Sequence, residues 1–368
     1  MDLLLDNIIY SLQHGGGASV VWTEHISRLL EDNRFATRFI EFEGCSNNVF
    51  RRNLDIPCES IDLMSKSFLC IKRYLDIKSR LSDPYIFHSS HYRVDNCPYA
   101  MNVTTVHDFV YEYYVRGLRK TIHSHQKWNA IRKADKVICI SESTKNDLLR
   151  FLPDVKEEKT IVIYNGVDEK YRPIIESDYQ LNLPFFTNEY IVYVGNRYTP
   201  YKNFNLAVEV CREIKKPLIL IGGEMLSKKE EIWLNDILGK DYYMSMRGIS
   251  NEVLNEVYNR AFAVLYPSQY EGFGIPVIEA QKAGVPVVCF KNSSIQEVAG
   301  DTELCVPEMT VSAVVERMRY LELNDYRNNE IKKGLINAQR FSWDKTYQQT
   351  TDLYLSLVRD CREMLKPS

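Results

Sequence analysis

The stretch 263–284, AVLYPSQYEGFGIPVIEAQKAG, constrains this chain more than any other. A short aliphatic run, a turn holding Gly272 and Gly274, and an apolar run opened by Pro276 spell a buried strand, a glycine-rich turn and a helix. Pro276 suits the first helical position, where its missing N–H has no partner to lose, and the two glycines let backbone approach a ligand closely. Such a turn is a ready anion site. The N–H groups at Phe273, Gly274 and Ile275 and the positive end of the helix dipole would face a phosphate. Glu271 frames the turn on the strand side, and Glu279, read as lying in the first helical turn, is placed to accept from sugar hydroxyls. An ordinary strand-to-helix connection uses the same residue types, so the motif is weighed with its context.

That context is a chain of 368 residues, long enough for two domains of ordinary size, with a formal net charge of -3 that gives no drive toward nucleic acid. Nine scattered cysteines without a C-x-x-C pair read as reduced packing residues of a cytosolic protein. The opening MDLLLDNIIYSLQ carries Asp2 and Asp6 where a signal peptide has basic residues, and no apolar run reaches transmembrane length. The expectation is a cytoplasmic protein, with any membrane contact peripheral and at the inner face.

Along the chain, strands and helices alternate. Residues 7–12 read as a short strand, followed by Gly15, Gly16 and Gly17 and a helix with Val21, Ile26, Leu29 and Leu30 on one side. This is a phosphate-approach geometry or a plain turn; it lacks the third spaced glycine of the dinucleotide fingerprint. A helix is expected over about 61–81, with Phe68, Ile71 and Leu75 on one side. PYIFHSS and NVTTVHD read as buried parallel strands, and ligands of open α/β sheets collect at such carboxyl ends, where His88, His91 and His107 stand. Each histidine is either a site group or a local hydrogen-bonder. Residues 116–136 hold seven cations, Lys120, Lys127 and Lys133 among them, against one acid. They make either a basic amphipathic surface for anionic lipid or a pyrophosphate-linked acceptor, or a solvated helix face.

Residues 168–188 have linker composition, and a second run of strands and helices follows. In YIVYVGNRYTPYKNF the strand ends at Gly195, Arg197 and Lys202 lie in the loop, and Phe204, Ala207, Val208 and Cys211 mark a buried helix face. FSWDKT opens a final helix of about 343–366.

Glu271, then G-F-G-I-P, then Glu279 eight positions after the first, with PSQYEGFG around it, resembles the E-x7-E signature of retaining glycosyltransferases of family 4. KVICIS and IYNGVD are similar to segments of the same family. The resemblance implies the GT-B fold: α/β, two Rossmann-like domains facing across a donor-binding cleft, with a C-terminal helix returning to the first domain. The domains implied are 1–170 on the acceptor side, 171–345 for the nucleotide sugar, and 346–368 as the returning helix. It implies that Glu271 contacts the donor sugar, that Glu279 binds the ribose, and that His107 lies near the donor sugar. Arg197 and Lys202 would hold the diphosphate, although the arginine stands one place later than in the common V-G-R form. Gly15 and Gly16 would lie over the diphosphate, and the RGIS loop, 247–250, near the base.

The activity so implied is transfer of a sugar from a GDP- or UDP-linked donor, with GDP-mannose first in line, to a hydroxyl of a glycan or lipid-linked acceptor. It needs no metal and no cofactor, because cations and a helix N-terminus take the charge of the departing diphosphate. A GT-B sugar-nucleotide epimerase and a non-catalytic nucleotide-sugar binding subunit are the alternatives.

Overall fold

The computed structural model describes residues 1–364, with side chains described as far as Arg359. It divides into two compact units: Met1–Asn165 together with the C-terminal segment from Trp343, and Gly166–Ser342. The first holds a seven-stranded sheet of β1 (Asp2–Asp6), β2 (Ala36–Phe42), β3 (Ile61–Met64), β4 (Tyr85–Ser89), β5 (Ala100–Val106), β6 (Lys136–Cys139) and β7 (Thr160–Val162). Its order is β3-β2-β1-β4-β5-β6-β7, and every neighbouring pair is parallel. Leu3, Leu4 and Leu5 of β1 and all of β4 are buried, the pattern of parallel strands covered on both faces.

The second unit repeats the plan with β8 (Ile191–Val194), β9 (Leu218–Ile221), β10 (Tyr243–Met246), β11 (Ala263–Tyr266), β12 (Val287–Phe290) and β13 (Cys305–Val306). Their order is β10-β9-β8-β11-β12-β13, again parallel throughout. Each sheet reverses its direction of growth once, between β1 and β4 and between β8 and β11. In open parallel sheets a crevice forms outside the carboxyl ends of such a pair, because the following loops leave to opposite faces.

The final helix, Trp343–Met364, belongs to the first unit, and the expected residues 365–366 lie outside the described ones. Leu353, Tyr354, Leu357 and Val358 join Trp22, Ile26 and Leu29 in one core. The Tyr354 hydroxyl lies 2.6 Å from His88 Nδ1 and 3.1 Å from His25 Nε2, and Tyr347 donates to Asp32 at 2.7 Å.

Three local expectations are corrected. The first strand is Asp2–Asp6, while Ile9–Leu12 form a helical turn; short apolar runs do not distinguish the two, and Ile8, Ile9 and Tyr10 are buried either way. The helix expected over 61–81 is a strand, β3, and a single turn, Leu69–Lys72. Phe68 sits at φ 59, which breaks any continuous helix, and Phe68, Ile71 and Leu75 are exposed. Of the cysteines expected as packing residues, Cys58 and Cys70 are exposed and six others are buried, all as free thiols. The side chain of Cys361 lies outside the described residues.

Candidate active site

The loops after β8 and β11 bring the two most prominent charged candidates of the second unit together. β11 ends at Tyr266, and the chain runs through Pro267–Gly274 before the helix Ile275–Ala283. Asn203 donates to Pro267 O at 3.0 Å and Gln269 N to Tyr201 O at 2.7 Å, so this loop is sewn to the one that carries Lys202. Lys202 forms an ion pair with Glu271 Oε1, and the Tyr266 hydroxyl donates to the same oxygen at 2.8 Å. Both side chains of the ion pair are only about one-sixth exposed, at 16% and 14%. Burial, and then Glu271 beside it, holds the Tyr266 phenol well above its ordinary value, so it remains a donor at any working pH. Oε1 is thus shared by a cation and a phenol.

The backbone of this loop is fixed from the far side. Ser294 Oγ donates to Glu271 O at 2.8 Å and to Phe273 O at 3.0 Å, and Glu271 N donates to Ser293 Oγ at 3.2 Å. Gly274 caps the helix at φ 99, a conformation that a Cβ would strain even though space for one exists. The helix starts one residue earlier than expected, at Ile275, so Pro276 is its second residue and Glu279 its fifth, in the second turn rather than the first. Glu279 Oε2 accepts from Tyr258 at 3.5 Å and the carboxylate also accepts from Tyr171. Burial raises its carboxyl to about 7, against the lowering effect of both tyrosines and with a further push from Asp168.

Arg197 is held differently from the open loop cation expected. Its guanidinium donates to Gly222 O at 3.1 Å and Glu224 O at 2.6 Å and pairs with Glu230 at 3.2 Å, leaving 1% of the side chain exposed. Burial works to raise the Glu230 carboxyl, but hydrogen bonds from Tyr198, Ser227 and Arg197 bring it down to about 2, so this pair stays ionised. Arg197 thus fixes the turn after β9, where Gly222 and Gly223 both have positive φ. In the RGIS loop, Ser250 Oγ accepts from Val253 N at 3.4 Å and caps the helix Asn251–Asn259.

In the first unit, Gly15 and Gly16 precede the helix Gly17–Leu29 at the carboxyl end of β1. A Cβ on Gly15 would come within 3.1 Å of Val49. His107 follows β5 and borders two cavities. One, about 40 Å³, is lined by Trp22, His25, His88 and Thr105 and is too small for a sugar; the other, about 340 Å³, is lined by Arg73, His91, Asp108, Tyr111 and His123. Burial lowers His107, with Asp108 opposing. His88 spends both nitrogens, on Tyr354 at 2.6 Å and Thr105 at 2.9 Å, and reads as a hydrogen-bonder that ties the final helix down. His91 meets Arg73 at 3.3 Å.

The basic stretch splits. Lys127 is fully buried, ion-paired with Glu112 at 2.9 Å, and Lys133 pairs with Asp76 and Arg132 with Asp154, whereas Arg116 and Arg119 are exposed. Lys127 is therefore removed from any surface role. Among the described residues no helix is long and apolar enough to cross a membrane, and no three His, Cys, Asp or Glu side chains are grouped to hold a metal ion.

Sequence inspection missed Tyr266, Tyr171 and Tyr258. A hydroxyl in an otherwise aliphatic buried strand must find a partner, and AVLYP carried that signal for Tyr266.

Two parallel, doubly wound units, one with a cation–carboxylate pair at its switch point, define a GT-B glycosyltransferase. The chain belongs to family 4 of these enzymes: the model for Glycosyltransferase Family 4 matches residues 15–171 and that for Glycosyl transferases group 1 matches 178–338. It is 26% identical over 302 residues to O-antigen chain mannosyltransferase B of Escherichia coli, covering 73% of this chain and 74% of that one. Among solved structures it is similar to sucrose-phosphate synthase from Thermosynechococcus elongatus, with a TM-score of 0.75 and 19% identity over 98% of this chain and 100% of that one. It is also similar to Anabaena HepE in complex with UDP and glucose, with a TM-score of 0.69 and 17% identity over 96% and 98% of the two chains.

Proposed function

We propose that this enzyme transfers a hexosyl group, mannose from GDP-mannose in the first instance, to a hydroxyl of a glycan or lipid-linked acceptor in surface-polysaccharide assembly. The new bond keeps the anomeric configuration, and the reaction needs no metal. The observation that carries this reading is Lys202 and Tyr266 converging on Glu271 Oε1 beside the N-terminus of the helix Ile275–Ala283. The O-antigen mannosyltransferase relative supports the choice of sugar and of setting.

In this proposal the departing diphosphate is stabilised by Lys202 and by the backbone N–H groups of Phe273, Gly274 and Ile275, preorganised donors where negative charge develops. Glu271 holds a sugar hydroxyl through Oε2, and Glu279 accepts from the ribose. His107 is assigned to the transferred sugar, and Gly15 and Gly16 to the diphosphate. Arg197 acts indirectly, by fixing the turn that holds Gly222 and Gly223. The acceptor attacks on the face the diphosphate leaves, and the leaving phosphate takes its proton. We further assign the protein to the cytoplasm, with peripheral contact at an anionic membrane.

The test is incubation with GDP- and UDP-sugars and a panel of glycan acceptors, with products followed by mass spectrometry and the new linkage by NMR. An α-linked product from an α-linked donor is expected. Conversion of the donor without acceptor would favour an epimerase, and absence of both conversion and transfer a binding subunit.

A further inference from the structure

Of the seven cations between residues 116 and 136, Lys127 alone is buried, on the inner face of the helix Leu118–Lys133. Its ammonium pairs with Glu112 Oε2 at 2.9 Å, donates to Asp108 O at 2.8 Å and lies over the Phe109 ring, 4.6 Å from the centroid. Glu112 is equally enclosed. Ser124 donates to its Oε1 at 2.8 Å, and Lys120 to its backbone oxygen at 2.7 Å. Three residues of one helix, Lys120, Ser124 and Lys127, thus grip the segment 108–112, and the carbonyl that Lys127 holds belongs to the residue after His107.

Stability does not explain the pair. Two charges taken out of water lose about what their attraction returns, and apolar residues of the same volume commonly serve as well. What apolar residues cannot do is hold a carbonyl in one place and set a positive charge near an imidazole. His107 borders the cavity of about 340 Å³ together with Asp108, His91, Arg73 and His123. His88 of β4 is also near it, and the Tyr92 hydroxyl meets its backbone. Burial is the largest influence on the His107 ring and disfavours its proton; Asp108 opposes that, and Lys127 adds to it. A neutral imidazole can accept from one hydroxyl and donate to another, whereas an imidazolium only donates.

We propose that Lys127, paired with Glu112, is a positioning residue: it fixes the peptide that follows His107 and so aims that imidazole at the transferred sugar. Its charge has a second effect, which is to hold the ring in the neutral form. Both rest on the assignment of His107 to the transferred sugar made above.

The experiment compares wild type with Lys127→Met combined with Glu112→Gln, which removes both charges together, strands no ion and leaves Ser124 an acceptor. The double variant should melt with wild type or above it. With GDP-mannose as donor, kcat should fall about ten- to a hundredfold while donor KM is nearly kept, the mark of a displaced group rather than of lost binding. NMR titration of ring-labelled histidines, with the His107 signal assigned from His107→Asn, reads the ring without any turnover. Its midpoint should lie below the ordinary value of 6.5 in wild type and higher in the double variant. The acid limb of kcat should move to higher pH with it, because the ring that accepts is the neutral one. Should the double variant fail to fold, Lys127→Gln takes its place: it keeps a donor there and loses the charge, so the midpoint should still rise. A folded double variant with wild-type kcat, or a His107 midpoint that does not rise, overturns the proposal. So does a fall in Tm that accounts for the lost activity while the midpoint stays in place, since the pair would then be a support of the fold alone. His107→Asn with full kcat would sink the assignment of His107 and the positioning role with it, whereas a crippled His107→Asn beside a normal double variant sinks the positioning role alone.

Discussion

Replacing Glu279 by Gln should make the protein more stable and a poorer binder of nucleotide, in opposite directions from one substitution. Burial raises the Glu279 carboxyl from its ordinary value of 4.5 to about 7. A group raised on folding binds more protons in the native than in the unfolded state, so its stabilising share is full below about 4.5 and drains away as pH rises through 7. That interval corresponds to roughly 2 to 3 kcal/mol at pH 8, the lower figure allowing for partial exposure of the side chain. Glutamine never charges, so the variant should match wild type near pH 5 and melt higher near pH 8. Ligand binding runs the other way. Ribose hydroxyls donate more strongly to the carboxylate than to the neutral acid, so wild-type affinity for a nucleoside diphosphate should rise up to about tenfold from pH 5.5 to 8, a charged hydrogen bond being worth roughly 1.5 to 3 kcal/mol against about 1 kcal/mol for a neutral one. The proton displaced should appear in calorimetry as a heat that differs between buffers of different ionisation enthalpy. The variant should bind weakly at every pH. A variant that melts no higher at pH 8, together with wild-type binding that ignores pH, would refute the reasoning.

Tyr266→Phe removes one of the two donors on Glu271 Oε1 while keeping the ring, so kcat should fall about three- to tenfold with donor KM nearly kept, as for a bond worth about 1 kcal/mol. Arg197→Met should cost about 1 to 3 kcal/mol in chemical denaturation, because it removes the charged hydrogen bonds to Glu230 and to two part-buried carbonyls. Activity should survive EDTA, because the proposal gives the charge of the departing diphosphate to Lys202 and a helix N-terminus; strict loss with chelator and rescue by Mg²⁺ or Mn²⁺ would contradict that assignment of the diphosphate site.

Glycine and proline punctuation made the central motif readable, because positive φ at Gly274 and Pro276 beside it are demands of the backbone itself. The buried face of the helix Phe204–Ile214 was readable too, since Phe204, Ala207, Val208 and Cys211 keep the helical period. What was not readable is tertiary. Lys202 and Glu271 could be named as residue types, but their pairing spans 69 positions, and nothing local says that one carboxylate oxygen will be doubly occupied. Arg197 was legible as a cation in the right loop and illegible as a group consumed by the carbonyls of Gly222 and Glu224. The 61–81 error has the same origin: Phe68, Ile71 and Leu75 keep a helical period on a surface, and periodicity does not say whether anything lies against it.

The division of labour between Glu271, in the loop before the helix Ile275–Ala283, and Glu279 within that helix is the centre of the account, and calorimetric titration of a nucleoside diphosphate into wild type, Glu271→Gln and Glu279→Gln tests it most directly. Glu271 is assigned to the sugar, which the diphosphate lacks, and Glu279 to the ribose, which it retains. The Glu271 variant should bind nearly as wild type does, while the Glu279 variant should lose roughly 10-fold or more. The reverse order, with the Glu271 variant weakened and the Glu279 variant intact, would contradict the placement of donor sugar and ribose on which the proposed transfer rests.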